Sequence, residues 1–306
     1  MKPQAANIPA ANVSAAHPAW LVRLADFWTL TKPEVNFLVV MSTLAGFYLG
    51  WRGPMDFGLL FCALFGTLLV ASGTGTLNQY IERASDASMR RTARRPLPSG
   101  RMKPAAAFWF GIFLAASGGL LLWLEVNELT SILALATLAS YLLFYTPLKR
   151  RTPLCTLVGA FPGAMPPLIG WAAARGSLSL EAWVLYAILF FWQFPHFLAI
   201  AWLYREDYSR AGLRMLPERD TEGRFTGREI LAFTLALVPV SVLPVFLGLA
   251  GTVYLVGALL LGAAFLVYSY RLAQSRTRAL ARALLMASIV YLPLVFALLM
   301  VNKLPA

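Results

Sequence analysis

Charge is what this chain has least of. Only 13% of its 306 residues are Asp, Glu, Lys or Arg, against 59% hydrophobic, which excludes an ordinary soluble domain. Cysteine is nearly absent. Cys62 and Cys155 both lie inside apolar runs with no CxxC spacing, so the sequence offers neither a disulfide framework nor a zinc site. Histidine occurs only as His17, for which the sequence suggests no role, and His196. The first twenty residues lack a sustained apolar core, which argues against a secretory signal. Residues 1–25 therefore read as a disordered cytoplasmic tail, and 26–306 as a single transmembrane domain.

Apolar runs of about twenty residues, by contrast, recur along nearly the whole length. The fold class expected is all-α: a polytopic membrane protein of about nine helices bundled around a central cavity that opens to the cytoplasmic side. The spans fall near 34–50, 57–80, 105–124, 129–147, 154–173, 180–203, 229–249, 251–270 and 283–302. The run Phe161-Pro-Gly-Ala-Met-Pro-Pro167 predicts a bent or broken span lining a cavity.

The net charge of +12 would suggest nucleic acid in a soluble chain, but the basic residues cluster in alternate loops. Three precede the first span, and 81–104, 148–153, 204–228 and 271–282 hold seven, three, six and four. Only Arg52, Arg175 and Lys303 fall on the other face. That alternation predicts a cytoplasmic N-terminus, and nine spans then carry the C-terminus to the outer face of the cell (inner) membrane. No nucleic-acid partner is expected. The partner is the bilayer.

Three loops on the basic face carry the polar chemistry. Asn78, Glu82 and Asp86 stand at steps of four. Four residues of helix advance about 400°, so the three groups form one stripe, each roughly 6 Å beyond the last. Two carboxylates and an amide make a hard, oxygen-only site for a divalent cation. Arg90, Arg91, Arg94, Arg95 and Arg101 follow. Such arginines also serve as cytoplasmic anchors, but anchoring leaves regularly spaced acids beside a span unexplained. Acids holding a cation, with guanidinium forks beside them, would clamp a diphosphate.

The second loop, Tyr145-Thr-Pro-Leu-Lys149-Arg150-Arg151, either anchors a helix to anionic headgroups or adds Tyr145, Lys149 and Arg150 to a phosphate site. The third comprises Trp192-Gln193-Phe-Pro195-His196-Phe, then Tyr204-Arg205-Glu206-Asp207-Tyr208. His196 reads as a buried structural histidine, a haem ligand or a proton shuttle. Pro195 would loosen its helix. Glu206 and Asp207 cannot share one helical face, and Asp207 is the better candidate for a second metal position. Gly212-Leu-Arg-Met-Leu-Pro217 reads as a loop covering the mouth.

Together these segments resemble the UbiA-type intramembrane prenyltransferases. Asn78-x3-Glu82-x3-Asp86, with Met89-x-Arg91-Thr-x2-Arg95-Pro-Leu-Pro-x-Gly100, is similar to their first metal–diphosphate motif. The Tyr145–Pro153, Gly163–Trp171, Trp192–Phe197 and Tyr204–Pro217 segments resemble the haem-prenylating branch, in order over roughly 25–300. Two departures stand out. Glu82 replaces the usual Asp, and Tyr204 and Tyr208 lie where quinone-type members carry a second Asp pair.

The resemblance implies Mg²⁺ held by Asn78, Glu82 and Asp86, with Asp207 as a further ligand. It implies diphosphate on Arg91, Arg95, Tyr145, Lys149 and Arg150, and haem beside His196, Gln193 and Tyr204. It also implies farnesyl transfer from farnesyl diphosphate to a vinyl group of haem B with addition of water, giving haem O. Asn78, Glu82, Asp86, His196 and Asp207 would be the catalytic groups. Haem would be substrate, consistent with the lack of a CxxCH sequence, and a haem A synthase or oxidase-assembly protein is an implied partner. Prenylation of a quinone precursor or other aromatic acceptor stays open, as does cation transport, although no duplicate of the Asn78 stripe supports a transporter repeat.

Overall fold

Prolines and short polar caps punctuate an otherwise continuous run of helix. A computed structural model describes residues 18–216 and 220–305. The tail to His17, and Pro217, lie outside the described residues. The helices are α1 (Ala19–Thr31), α2 (Pro33–Gly50), α3 (Phe57–Ala87), α4 (Pro104–Glu125), α5 (Glu128–Ser140) and, after a π-helical turn at Tyr141–Tyr145, α6 (Thr146–Leu148). Then come α7 (Cys155–Gly163), α8 (Pro166–Arg175), α9 (Leu180–Leu203), α10 (Arg205–Arg210), α11 (Arg224–Phe246), α12 (Thr252–Ser275) and α13 (Arg278–Val301). No strand forms among the described residues.

Local chemistry sets the starts. Asp56 accepts from the Leu59 amide at 2.9 Å to cap α3, Asn127 does the same for Thr130 of α5, and proline opens α2, α4 and α8, where a missing N–H costs nothing. The proline-rich run breaks its span as expected, into α7 and α8. Pro195 does not break α9, which continues unbroken to Leu203.

Eight helical stretches among the described residues are long and apolar enough to cross a membrane. The ninth predicted span is α2, an 18-residue helix diluted by Glu34 and Asn36. It packs against α8 so closely that side chains are excluded. A Cβ on Gly170 would lie 1.9 Å from the Thr43 carbonyl oxygen, and one on Gly46 2.1 Å from that of Pro167. Glycine lets the two backbones touch, as at many intramembrane interfaces.

One expectation fails at the N-terminus. Residues 19–25, read as the end of the tail, form the first turns of α1. That helix buries Asp26 and Leu30 while exposing Trp20, Leu24 and Trp28, a pattern suited to lying in the interface. It is too short for a span, so hydropathy passed over it.

The loops sort by end. Residues 81–103, 148–155 and 204–216 pack together through Met89, Cys155, Tyr208, Leu213 and Met215, and the Arg214 amide donates to the Lys149 carbonyl at 2.8 Å. Arg52, Arg175 and Lys303 gather instead around a separate cleft.

Candidate diphosphate–metal site

The stripe on α3 forms as the four-residue spacing requires, on the last turns of a 31-residue helix. Asn78 and Asp86 are each only 1% exposed. Each member meets a basic group from a different segment. Lys149 Nζ donates to Glu82 Oε1 at 2.8 Å, and an Arg95 guanidinium nitrogen donates to Asp86 Oδ2 at 2.7 Å. Asn78 Oδ1 accepts from Lys32 Nζ at 2.7 Å, while its amide nitrogen donates to Thr146 Oγ1 at 3.2 Å.

Lys32 is the residue the sequence reading missed. It sits between α1 and α2 with φ 54°, a left-handed conformation costly for a residue with a Cβ. The neighbours hold it there. Gln79 donates to the carbonyls of Thr29 and Leu30, and Asn36 to that of Thr31. Burial, reinforced by Arg95 and Lys149 nearby, pulls the Lys32 ammonium down to about 7. Burial works against the Lys149 charge too, yet Tyr145, Glu82 and Tyr141 around it hold that ammonium well above the ordinary lysine range. The available signal was small: one lysine before a proline, between an amphipathic segment and the first span.

The predicted diphosphate residues largely converge. Tyr145 lies beneath Lys149, with the ammonium 4.5 Å from its ring centre. Arg150 donates to Ser85, one residue before Asp86. A cavity of about 290 Å³, lined by Glu82, Ser85, Thr146, Arg150 and Arg151, adjoins them. Arg91 stacks over the Tyr204 ring at 5.0 Å. The arginine-rich loop is folded: Thr92 Oγ1 donates to the Asp86 carbonyl, and Arg101 pairs with Asp26 of α1 at 2.9 Å.

Three predicted residues turn elsewhere. Asp207 pairs with Arg210, one turn along its own short helix. Among the described residues no three His, Cys, Asp or Glu side chains converge, so Asp207 does not join Glu82 and Asp86. His196 Nδ1 bonds Ser288 Oγ of α13 at 2.7 Å, its ring stacked on Trp192. Gln193 donates to the Ala160 carbonyl at the α7–α8 break. A Cβ on Gly163 would lie 2.0 Å from Gln193 Oε1, so the break fits around that side chain.

The donor set suits magnesium. Two carboxylates and an amide, each with an oxygen already accepting from a basic group at 2.7–2.8 Å, are hard, cation-seeking ligands.

Comparison with known proteins places the chain in a family and a fold. The model of the UbiA prenyltransferase family matches residues 39–300. A protoheme IX farnesyltransferase from Solibacter usitatus (strain Ellin6076) is 50% identical over 287 residues, covering 91% of this chain and 98% of the relative. One from Koribacter versatilis (strain Ellin345) is 46% identical over 290 residues, covering 92% and 94%. Among solved structures, one of digeranylgeranylglyceryl phosphate synthase superposes with a TM-score of 0.76 at 17% identity, covering 92% of this chain and 98% of that one. A UbiA homologue from Archaeoglobus fulgidus bound to DMAPP and Mg²⁺ gives 0.67 at 14% identity, covering 90% and 99%. At such identities the superpositions speak to the fold.

Proposed function

The chain belongs to the UbiA prenyltransferase family, and from that premise we propose how it transfers a farnesyl group from farnesyl diphosphate to a vinyl group of haem B. It is a magnesium-dependent, multi-pass membrane prenyltransferase, and its product is haem O. One observation carries the site reading. The three stripe oxygens, on Asn78, Glu82 and Asp86, are gathered with Lys32, Lys149 and Arg95 from three other segments.

Asn78, Glu82 and Asp86 would hold the ion. Magnesium bound there supplies positive charge against the departing diphosphate. Lys149, Arg95, Arg150 and Arg91 bind the phosphate oxygens and orient the donor's C1 toward the bundle interior. The C1–O bond breaks, its electrons leaving with diphosphate, and an allylic cation remains. The haem vinyl π electrons form the new bond to C1. Water then adds to the neighbouring carbon and gives up a proton, leaving a hydroxyethylfarnesyl substituent.

His196, held by Ser288 and stacked on Trp192, would take that proton or position the haem, with Tyr204 at the rim. Asp207 steadies the α10 loop through Arg210 and stays outside the ligand set. The catalytic face is cytoplasmic in an inner membrane, because the loops that carry it hold most of the positive charge. The greasy product would pass to a second membrane protein, a haem A synthase or an oxidase-assembly factor.

Incubation of the purified protein with radiolabelled farnesyl diphosphate, Mg²⁺ and either haem B or 4-hydroxybenzoate tests the reading. Label should enter haem and depend on Mg²⁺. A prenylated benzoate with unmodified haem overturns it.

A further inference from the structure

Lys32, Lys149 and Arg95 do more than line the site. Between them they reach all three stripe residues, each through a donated bond of 2.7–2.8 Å to a different oxygen. Glu82 and Lys149 are 15% and 14% exposed at the side chain, and Asp86 only 2%. Bonds so sheltered from water are strong ones. The three basic groups come from the α1–α2 junction, the loop after α6 and the loop after α3. They outnumber the two carboxylates they face.

We propose that Lys32, Lys149 and Arg95 are internal counter-ions, so that the site accepts a magnesium–diphosphate complex and discriminates against either component alone. This deepens the site reading above and rests on it. A divalent cation arriving alone must break three charge-assisted bonds and enter among basic groups left without partners. Diphosphate arriving alone would draw those groups away and leave two buried carboxylates uncompensated beside a polyanion. Arriving together, the metal takes the stripe oxygens while the phosphate oxygens take the released lysines and arginine. Glu82, Asp86, Lys149 and Arg95 each exchange one partner of opposite charge for another, and Lys32 exchanges the neutral Asn78 amide oxygen for a phosphate oxygen. Lys32 is thereby a specificity-determining residue, although it belongs to none of the basic loops.

The consequence is a positive coupling between the two ligands, which must be reciprocal. In nanodiscs, Mn²⁺ binding to the full-length protein is read by electron paramagnetic resonance, with inorganic diphosphate absent or saturating. Mn²⁺ affinity should rise about tenfold with diphosphate, within the ordinary range of such couplings. Lys149→Met and Lys32→Met should each tighten Mn²⁺ alone while weakening diphosphate, shrinking the coupling from both ends. Equal Mn²⁺ affinity with and without diphosphate overturns the proposal. So does weaker Mn²⁺ binding in both lysine variants. Asp86→Asn separates the two readings: loss of Mn²⁺ binding there without coupling in the parent sinks the counter-ion idea alone, whereas unchanged Mn²⁺ binding sinks the site itself.

Discussion

The Glu82–Lys149 pair gives the sharpest quantitative prediction, because the double variant should recover part of the summed stability loss and none of the activity. At 2.8 Å two unit charges attract by about 6 kcal/mol in an effective dielectric of about 20. Desolvation of both ends offsets most of that, leaving a coupling of about 2 kcal/mol. Glu82→Gln keeps the shape but strands a lysine that is 14% exposed, and Lys149→Met strands a carboxylate that is 15% exposed. Each should cost about 3 kcal/mol. The double variant leaves no stranded charge, so it should cost about 2 kcal/mol less than the sum. Unfolding by SDS in mixed micelles measures all three. Turnover should show no such recovery and be lowest in the double variant, which lacks both a metal ligand and a phosphate cation. A coupling below about 0.5 kcal/mol, the level of independent sites, would refute the reasoning.

Three further outcomes are expected. Asp86→Ala removes a ligand that is 1% exposed and should lower turnover by at least about a hundredfold; a folded variant with normal Mg²⁺-dependent activity contradicts its role. Arg95→Ala should weaken diphosphate binding about tenfold, the worth of one charge-assisted bond, and leave haem titrations unchanged; equal effects on both ligands count against it. His196→Ala and Ser288→Ala should perturb the haem absorption spectrum alike and spare diphosphate affinity, because Ser288 orients the ring; an unchanged spectrum and rate would make the histidine merely structural.

Much of this was legible in the residues. Long apolar runs placed the spans, and steps of four placed the α3 stripe, because both are local consequences of helix geometry. The proline run foretold the break between α7 and α8 for the same reason. What escaped depends on packing between distant segments. Lys32 meets Asn78 across 46 positions, and no periodicity marks such a pair. The face His196 presents is settled by α13, through a partner 92 positions away. Gln193 looked like a binding group, whereas its amide satisfies a carbonyl at the helix break. Asp207 looked available until Arg210 closed on it from the next turn. Helix α1 was invisible to hydropathy, since it is too short for a span and buries one side only.

The most direct test is made on the pigment itself. The chain is expressed in cells that lack haem O, and their extracted haems are read by mass spectrometry. A species heavier than haem B by one farnesyl group and one hydroxyl is the predicted result. Haem B recovered unchanged, beside folded protein that still releases diphosphate in the presence of Mg²⁺, would contradict the account.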